Sequence, residues 1–219
     1  MFSRRLIEPE LLDHAPAEEA RANLADLIRI NQKFGGHAVI LKVLGKVASA
    51  EDSFSLLDVG AASGDTAVAI RSAYPHSRVF NFDCSAVNLS AAPQPKLIGD
   101  AFQLPFAARS FDYVLCSLFL HHFEDGRVVR LLKSFHEVAR KALLVCDLER
   151  NIWPYLFLPA TKFLYGWQRI TLHDGPVSVR ASFTAAELRN LAGQAGLNDC
   201  EVSIHRPAFR VSLVARKPG

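Results

Sequence analysis

Apolar residues at three- and four-residue spacing mark an amphipathic helix near the start of the chain. The apolar residues between positions 18 and 32 are Ala20, Leu24, Leu27, Ile28 and Ile30, and Gly35-Gly36 then ends the pattern. This spacing places apolar side chains on one helical face, and glycine is typical just past a helix end. A second helix is predicted over residues 37–48. We therefore expect a helical cap, over residues 1–50, before the first strand.

From residue 51 onward, short apolar runs alternate with helical patterns. The runs predict strands over residues 55–59, 78–83, 96–100, 113–117 and 142–147, and the helices between them are predicted over residues 66–74, 86–90 and 127–140. Alternating strands and helices are typical of an α/β domain with helices on both faces of a sheet. Nearly continuous apolar strands fit a parallel sheet that is buried on both faces. The sequence predicts such a domain over residues 51–219.

The last third of the chain predicts a lid and two further strands. Residues 148–176 are rich in aromatic residues and interrupted by proline, and their length is typical of a lid insertion, at about residues 150–180. Thr184 and Glu187 then predict a capping box at the start of a helix over residues 185–195. Strands are predicted at 201–205 and 209–216. Because only three residues join them, they must be antiparallel neighbours.

Charge and cysteine content narrow the class of protein. The chain has 219 residues, 25 of them basic and 22 acidic, and these are scattered without a basic run, so nucleic acid is not an expected partner. Four separated cysteines without a CxxC pair indicate reduced core residues. The first residues lack an apolar signal region, and the apolar stretch 152–165 is shorter than the roughly 20 residues that span a bilayer. We expect a cytoplasmic protein without integral membrane contact.

A glycine-rich segment follows the first predicted strand and is the first candidate for ligand binding. It runs from Asp58 to Asp65 with the sequence DVGAASGD. Glycine lets the backbone approach a ligand, and the N-terminus of the following helix presents free N–H groups. The motif alone is weakly specific, because dinucleotide-binding loops look alike and a tight turn would give the same letters. Further anchors at the correct spacing are required.

Three such anchors follow at the ends of later strands. Asp83 comes 19 positions after Gly64, where a carboxylate can accept hydrogen bonds from ribose hydroxyls; a helix N-cap is the competing interpretation. In the segment 99–106, Asp100 can accept from an adenine amino group beside an apolar side chain. The fourth strand runs into a loop with the pair His121 and His122. Four signals in register are far more specific than any one of them.

On these residues the chain resembles the class I S-adenosylmethionine-dependent methyltransferases, in particular the small-molecule group that includes the ubiquinone and menaquinone biosynthesis type. The resemblance covers roughly residues 56–147 and implies a Rossmann-like, doubly wound, mostly parallel seven-stranded sheet with an antiparallel last strand. It also implies cofactor-binding residues: Asp58, Gly60 and Gly64 for the methionine end and the turn, Asp83 for the ribose, Asp100, Ala101 and Phe102 for the adenine, and Ser117 in the loop beneath the sulfonium. Their neighbours Ala61, Ala62 and Cys84 are also expected to contact the cofactor.

One residue departs from the family pattern. Where the family usually has glycine in the middle of the loop, this chain has Ala62. Its methyl group narrows the approach of the cofactor. The departure therefore predicts weaker cofactor binding rather than loss of activity. The end of the first cap helix, with Arg29, Asn31 and Gly36, is a candidate to close over the cofactor.

Methyl transfer from a sulfonium is an in-line displacement, for which a protein supplies alignment, desolvation and, for an acidic acceptor, a base. The candidate bases are His121, His122 and His173, and Arg180 near His173 suits an acidic, phenol-like acceptor. The competing interpretations are histidines that bond the loop backbone and a polar turn at residues 174–176. No metal site is predicted, because the acidic residues that could serve as ligands are not obviously grouped: Asp147, Glu149 and Asp174.

The acceptor is predicted from the aromatic residues of the lid. These residues are Trp153, Tyr155, Phe157, Phe163, Tyr165 and Trp167. They are typical of a wall that binds a small aromatic or quinone-like molecule, and O-methylation is mildly preferred. Two alternatives stay open: the aromatic residues pack the cap, or they make peripheral contact with a membrane surface. A nicotinamide-dependent oxidoreductase shares the glycine loop, but the segment 99–106 and the final strand pair argue against it. A non-catalytic binding protein is favoured only by Ala62. The sequence leaves the oligomeric state open.

Overall fold

Seven strands form one mixed sheet in the computed structural model, which describes residues 3–218. They are β1 Phe54–Val59, β2 Ser77–Asp83, β3 Lys96–Ile98, β4 Phe111–Ser117, β5 Ala139–Leu148, β6 Cys200–His205 and β7 Arg210–Arg216. Their order in the sheet is β3-β2-β1-β4-β5-β7-β6. Strands β1 to β5 are parallel, and β7 runs antiparallel to both β5 and β6. The predicted Rossmann-like fold is confirmed, including the antiparallel last strand.

Within the described residues, eight α-helices surround this sheet: α1 Ala17–Lys33, α2 Gly36–Leu44, α3 Asp65–Ala73, α4 Ala86–Leu89, α5 Asp125–Val138, α6 Ile152–Tyr165, α7 Arg169–Ala181 and α8 Ala185–Gln194. Short 3-10 turns lie at Leu11–His14, Ala101–Gln103 and Leu120–His122. The helices α1 and α2 lie in the segment predicted as a cap, and α6 and α7 lie between β5 and α8, in the segment predicted as a lid insertion. At the start of α8 the capping box of Thr184 and Glu187 is present.

The core lies on both faces of the sheet. Leu57 belongs to an apolar layer with Leu131 of α5, whereas its neighbour Leu56 belongs to a second layer with Leu44 of α2 and Ile70 of α3. Successive side chains of a strand point to opposite faces, so adjacent leucines serve both layers. Each fully buried leucine contributes about 1.5–3 kcal/mol relative to exposure. The apolar face of α2 thus packs directly on the sheet.

The structure corrects the predicted boundary between α5 and β5. The helix ends at Val138 and the strand begins at once with Ala139, so the prediction of helix up to residue 140 is wrong. Ala139 pairs with Phe111 of β4, and the Arg140 guanidinium binds the Asp112 carboxylate across the two strands. This pairing outweighs the helical pattern of the last two residues.

The lid also differs from one interpretation of its sequence. Residues 173–176 lie inside α7 and not in a polar turn, although they include Asp174-Gly175-Pro176. A Cβ atom on Gly175 would lie 2.1 Å from Cδ1 of Leu158 in α6, so the glycine lets the two lid helices pack closely. Tertiary packing therefore overrides the turn-forming composition.

Two further expectations concern cysteines and membranes. Cys116 and Cys146 are buried as predicted, but Cys84 is exposed beyond the end of β2, so its assignment to the core is wrong. Between residues 3 and 218, none of the helices has the length and apolar character needed to cross a bilayer.

Candidate cofactor and acceptor site

Three polar residues mark the edge of the sheet where the parallel strands end. Asp58 lies near the end of β1, Ser117 ends β4 and Asp147 lies near the end of β5. Strand β1 stands between β2 and β4, so the connections diverge at this point. Ligands of open α/β sheets bind in the crevice at such a divergence. The edge formed by β1, β4 and β5 is the candidate site.

The glycine loop after β1 is tightly constrained. Gly60 has φ 76° and Gly64 has φ 71°, values that favour glycine. A Cβ atom on Gly60 would lie 2.6 Å from Phe119, and one on Gly64 would lie 2.7 Å from Pro93. Ala62 also adopts a positive φ, 44°, which costs a residue other than glycine roughly 1–2 kcal/mol. The positive φ therefore gives a backbone reason why glycine would suit position 62 better than alanine does.

Asp83 links this loop to the next helix. Its Oδ2 accepts from the backbone N–H of Ala62 at 2.9 Å, and its Oδ1 accepts from the N–H of Ser85 at 2.8 Å. Ser85, and not Asp83, is the N-cap of α4. Each carboxylate oxygen can accept a further hydrogen bond, so Asp83 remains available to ribose hydroxyls. Cys84 follows it on the exposed side of the turn.

The predicted adenine-binding residues lie in a short turn after β3. The Asp100 Oδ1 accepts from the backbone N–H of Phe102 at 2.9 Å, and Ala101 between them is buried. The Phe102 ring packs edge-on against Phe123, with centroids 5.3 Å apart, and the Arg127 guanidinium lies 4.3 Å from its centroid. The turn therefore presents one carboxylate and one fixed aromatic ring.

Asp58 is buried without a full set of partners. Its side chain is 1% exposed, and Oδ2 has no hydrogen-bond partner among the described residues. Burial, together with the negative charges of Asp65 and Asp83, raises the pKa of Asp58 to about 8. An unpartnered buried carboxyl oxygen is costly, and a cationic ligand group would satisfy it.

The cap contacts the same loop through the first residue of α3. The Asp65 Oδ2 accepts from His37 Nε2 at 2.7 Å and from Asn31 Nδ2 at 3.2 Å. Burial raises the pKa of Asp65, but the hydrogen bond from His37 helps to lower it on balance. Asn31 packs against Gly36, where a Cβ atom would lie 2.6 Å from its Oδ1. The end of α1 and the start of α2 thus hold the glycine loop from the side.

Arg29, predicted to close with Asn31, turns instead toward the lid. Its guanidinium lies 4.4 Å from the Trp167 ring centroid and 2.7 Å from Asp26 Oδ1. Trp167 itself stacks on Tyr165, with centroids 5.0 Å apart. Phe34, just after α1, contacts the rings of Phe157, Tyr165 and Trp167. These aromatic residues of the lid therefore pack against the end of α1 in the cap.

Two adjacent histidines lie in the 3-10 turn that follows β4. His121 is 3% exposed, and its Nδ1 donates to Asp147 Oδ1 at 2.6 Å. His122 stacks on it, with ring centroids 4.2 Å apart, and its Nδ1 donates to the Phe119 carbonyl at 2.9 Å. Because both partners are acceptors, each Nδ1 carries the hydrogen. Both Nε2 atoms are left for other contacts.

Both Nε2 atoms face one carboxylate, that of Glu10. His122 Nε2 lies 3.4 Å from Glu10 Oε2, and His121 Nε2 lies 3.8 Å from Oε1. Burial lowers the pKa of His122, but the hydrogen bond and charge of Glu10 outweigh it and raise it to about 9. Burial raises the pKa of Glu10, but the two histidines lower it to about 2. The three side chains border a cavity of about 280 Å³.

A segment that precedes α1 forms one side of the cavity. The cavity wall includes Ile7, Glu8, Pro9, Glu10, His121, His122 and Ala181. Arg5 donates to the carbonyls of Ala181 at 2.7 Å and Phe123 at 2.8 Å. The Asp174 carboxylate accepts from the backbone N–H groups of Leu11 and Leu12. Residues 5–12 therefore form a strap between the β4 loop and α7.

The remaining residues predicted to act on the acceptor, His173 and Arg180, lie in α7, the helix to which the strap is bound. The His173 side chain is half exposed and its Nδ1 lies 2.8 Å from Asp174, while Arg180 pairs with Glu8 at 3.2 Å. His173 does not line the cavity, so the structure does not bring it together with His121 and His122. Sequence reasoning missed Glu10 and Asp147 as site residues. The strand-end position of Asp147 could have signalled it, whereas Glu10 carries no local signal.

Comparison with known proteins agrees with this geometry. Residues 57–144 match the family model described as a methyltransferase domain. The chain is 32% identical over 130 residues to a tricetin 3',4',5'-O-trimethyltransferase of Triticum aestivum, covering 55% of this chain and 36% of that protein. It is 30% identical over 91 residues to a demethylmenaquinone methyltransferase of Thermotoga maritima, covering 39% of each. The matched part of the chain thus spans well under half the length of these relatives.

A solved structure extends the similarity of fold beyond the matched domain. A SAM-dependent methyltransferase from Aquifex aeolicus superposes with a TM-score of 0.57 at 15% identity, over 80% of this chain and 87% of that one. SAM is S-adenosylmethionine, the cofactor named for that protein. Residues 57–144 therefore match a methyltransferase domain, and most of the chain shares the fold of that S-adenosylmethionine-dependent neighbour.

Proposed function

We propose that the protein transfers a methyl group from S-adenosylmethionine to a hydroxyl oxygen of a small, apolar, aromatic or quinone-like acceptor. The observation that carries the proposal is the Asp147–His121 pair, in which Asp147 holds His121 against a cavity at the same sheet edge as the glycine loop. The activities for which the two relatives are named, O-methylation of tricetin and methylation of demethylmenaquinone, support this acceptor class.

The residues of the loop fit the cofactor. The orphaned oxygen of buried Asp58 suits the ammonium group at the methionine end, and the free lone pairs of Asp83 suit the ribose hydroxyls. Phe102 and Asp100 offer a ring and a carboxylate for the adenine. Bound S-adenosylmethionine supplies an electrophilic methyl group. The glycine loop holds the cofactor end, and the cap and lid exclude water from it.

The histidine pair activates the acceptor. Asp147 fixes the ring of His121 so that Nε2 presents its lone pair beside the cavity. A phenolic hydroxyl has a pKa near 10, so it needs help to lose its proton at neutral pH. A positioned group that removes this proton, or stabilises the oxyanion that is left, contributes roughly 10²- to 10⁴-fold to the rate. His121 is the residue placed to supply this help, and His122 supports it by stacking.

The proposal is tested by measuring methyl transfer from labelled S-adenosylmethionine to a panel of phenols, catechols and quinols. His121→Asn should lose most of the transfer rate while S-adenosylhomocysteine still binds with unchanged affinity. His76→Asn, on an exposed loop, is the matched control and should behave as wild type. If the wild type binds the cofactor but methylates only amines or carbon acids in a wider panel, the O-methylation proposal is wrong.

A further inference from the structure

We propose that Glu10, His121 and His122 bind one divalent transition-metal ion at the wall of the cavity. The sequence alone predicted no metal site. These side chains come from distant parts of the chain, the strap and the β4 loop, yet each offers a ligand atom within 4.8 Å of the others. This inference concerns metal binding by the described residues, and its catalytic meaning rests on the proposed function.

The distances suit a tetrahedral ion. The two contacts to Glu10 are 3.4 Å from His122 Nε2 and 3.8 Å from His121 Nε2. A zinc ion bound at about 2.0–2.1 Å from tetrahedral ligands sets those ligands roughly 3.4 Å apart. Small rotations of the side chains would therefore bring all three atoms to an ion placed between them. The 3.8 Å contact is too long for a direct hydrogen bond and the 3.4 Å contact makes only a long one, whereas a shared cation fits both.

The outer contacts hold both rings as metal ligands are usually held. His121 donates Nδ1–H to Asp147, and His122 donates Nδ1–H to the Phe119 carbonyl. In metal sites, a ligating histidine almost always donates its other ring nitrogen to a carboxylate or a backbone carbonyl. That contact fixes the tautomer and leaves the Nε2 lone pair for the ion. Here one histidine donates to a carboxylate and the other to a backbone carbonyl, and both Nε2 atoms face the carboxylate of Glu10.

The ligand set selects the kind of ion. Two imidazoles and one carboxylate suit Zn²⁺, Co²⁺, Ni²⁺ or Fe²⁺, whereas Ca²⁺ and Mg²⁺ prefer oxygen ligands. Two buried carboxylates, Glu10 and Asp147, bracket the histidines and offset the charge of a divalent ion. Ser178 Oγ donates a hydrogen bond to Glu10 and holds its carboxylate in place. Without an ion, the same groups form a His122–Glu10 ion pair, which is the alternative to be tested.

Three protein ligands leave a fourth position open. Catalytic zinc sites keep such a position for water or substrate. Because Glu10, His121 and His122 all border the cavity, the open position faces it. An acceptor hydroxyl bound there would have a lower pKa, since a metal ion stabilises the oxyanion. The ion would then perform, through His121 and His122, the activation assigned to this pair.

The test is a titration of Co²⁺ into untagged protein that has been stripped with a chelator. We expect one ion per chain, with the visible absorption of a tetrahedral cobalt site, and displacement of that band by Zn²⁺. Glu10→Gln and His122→Asn should each weaken Co²⁺ binding roughly tenfold or more. His76→Asn should bind as wild type. Unchanged binding in Glu10→Gln and His122→Asn, or no one-to-one band in the wild type, overturns the proposal.

A second measurement uses wild-type protein and so does not depend on the folding of variants. Nitrogen NMR of the histidine rings should show that Zn²⁺ moves the Nε2 signals of two histidines and leaves the others in place. No such change at one equivalent of Zn²⁺ overturns the proposal. Titration of S-adenosylhomocysteine into the same stripped sample keeps the two proposals apart. If the protein binds S-adenosylhomocysteine but no metal ion, only the metal proposal is overturned.

Discussion

His121 Nδ1 lies 2.6 Å from Asp147 Oδ1, and this contact joins the loop after β4 to the end of β5. Asp147 is fully buried and also accepts from the backbone N–H groups of His121 and Leu148. Burial raises the pKa of Asp147, but the contact with His121 contributes to a net lowering. The carboxylate is therefore ionised and holds His121 in one tautomer and one orientation.

Asp147→Asn should impair methyl transfer more than cofactor binding. An amide is close in shape to the carboxylate but lacks its charge, so His121 loses the partner that fixes its tautomer. We expect the transfer rate to fall roughly 10²- to 10⁴-fold. The affinity for S-adenosylhomocysteine should stay within about twofold of wild type. Steady-state kinetics and calorimetry on one preparation measure both; equal losses of the two would assign Asp147 a structural role.

Ala62→Gly should stabilise the protein. The change removes the cost of a positive φ on alanine, roughly 1–2 kcal/mol, and adds a smaller entropic cost in the unfolded chain. We expect the free energy of unfolding to rise by about 0.5–1 kcal/mol in urea denaturation. The matched control is Ala61→Gly, which removes a buried methyl group at negative φ and should destabilise. The same sign for both variants would contradict the assigned strain.

The pKa of Asp58 predicts how stability depends on pH. Because burial raises this pKa to about 8 from an ordinary value of 3.8, the folded chain keeps a proton that the unfolded chain has lost between those values. Stability therefore falls as pH rises through this range. Asp58→Asn removes the titration, so its unfolding free energy relative to wild type should increase from about pH 5 to pH 8. A constant difference across this range would show that Asp58 is ionised in the folded protein.

Asp58→Asn should also weaken cofactor binding. Without ionisable oxygen, residue 58 cannot pair with the ammonium group of the methionine end. We expect S-adenosylhomocysteine to bind roughly tenfold more weakly, the loss typical of a charge-assisted hydrogen bond. An unchanged affinity, measured at a pH above 8, would exclude this role.

Gly175→Ala should destabilise the lid. The new Cβ atom would meet Leu158 Cδ1 at 2.1 Å, and overpacking of this kind costs about 1–3 kcal/mol, more than the helix propensity that alanine gains. The matched control is Gly126→Ala in α5, where a Cβ atom meets nothing within 4 Å. That variant should gain stability. Thermal unfolding distinguishes them, and an equal rise in Tm for both would contradict the close packing of α6 and α7.

Local signals explain what the sequence predicted well. The glycine loop, the capping box at Thr184 and the three-residue link between β6 and β7 each lie within a few residues, and each limits the backbone to one geometry. The strand pattern then fixes which ends share an edge. For these reasons the sheet and the position of the glycine loop could be predicted before the structure.

The acceptor side could not be predicted in the same way. Glu10 reaches His121 and His122 only because the strap is anchored by Arg5 and Asp174, contacts between residues far apart in the chain. The residues of α7 were misleading for the opposite reason, since Asp174-Gly175-Pro176 has turn composition but packs as a helix. Long-range contacts and packing leave no local pattern in the sequence.

The most direct test of the account is calorimetric titration of S-adenosylmethionine, S-adenosylhomocysteine and NADH into wild-type protein and Asp83→Ala. We predict one-to-one binding of both sulfur nucleosides to the wild type, clear weakening in the variant and no binding of NADH. Binding of NADH alone would contradict the account in favour of an oxidoreductase. Binding of none of the three would contradict it in favour of a protein that does not use this cofactor.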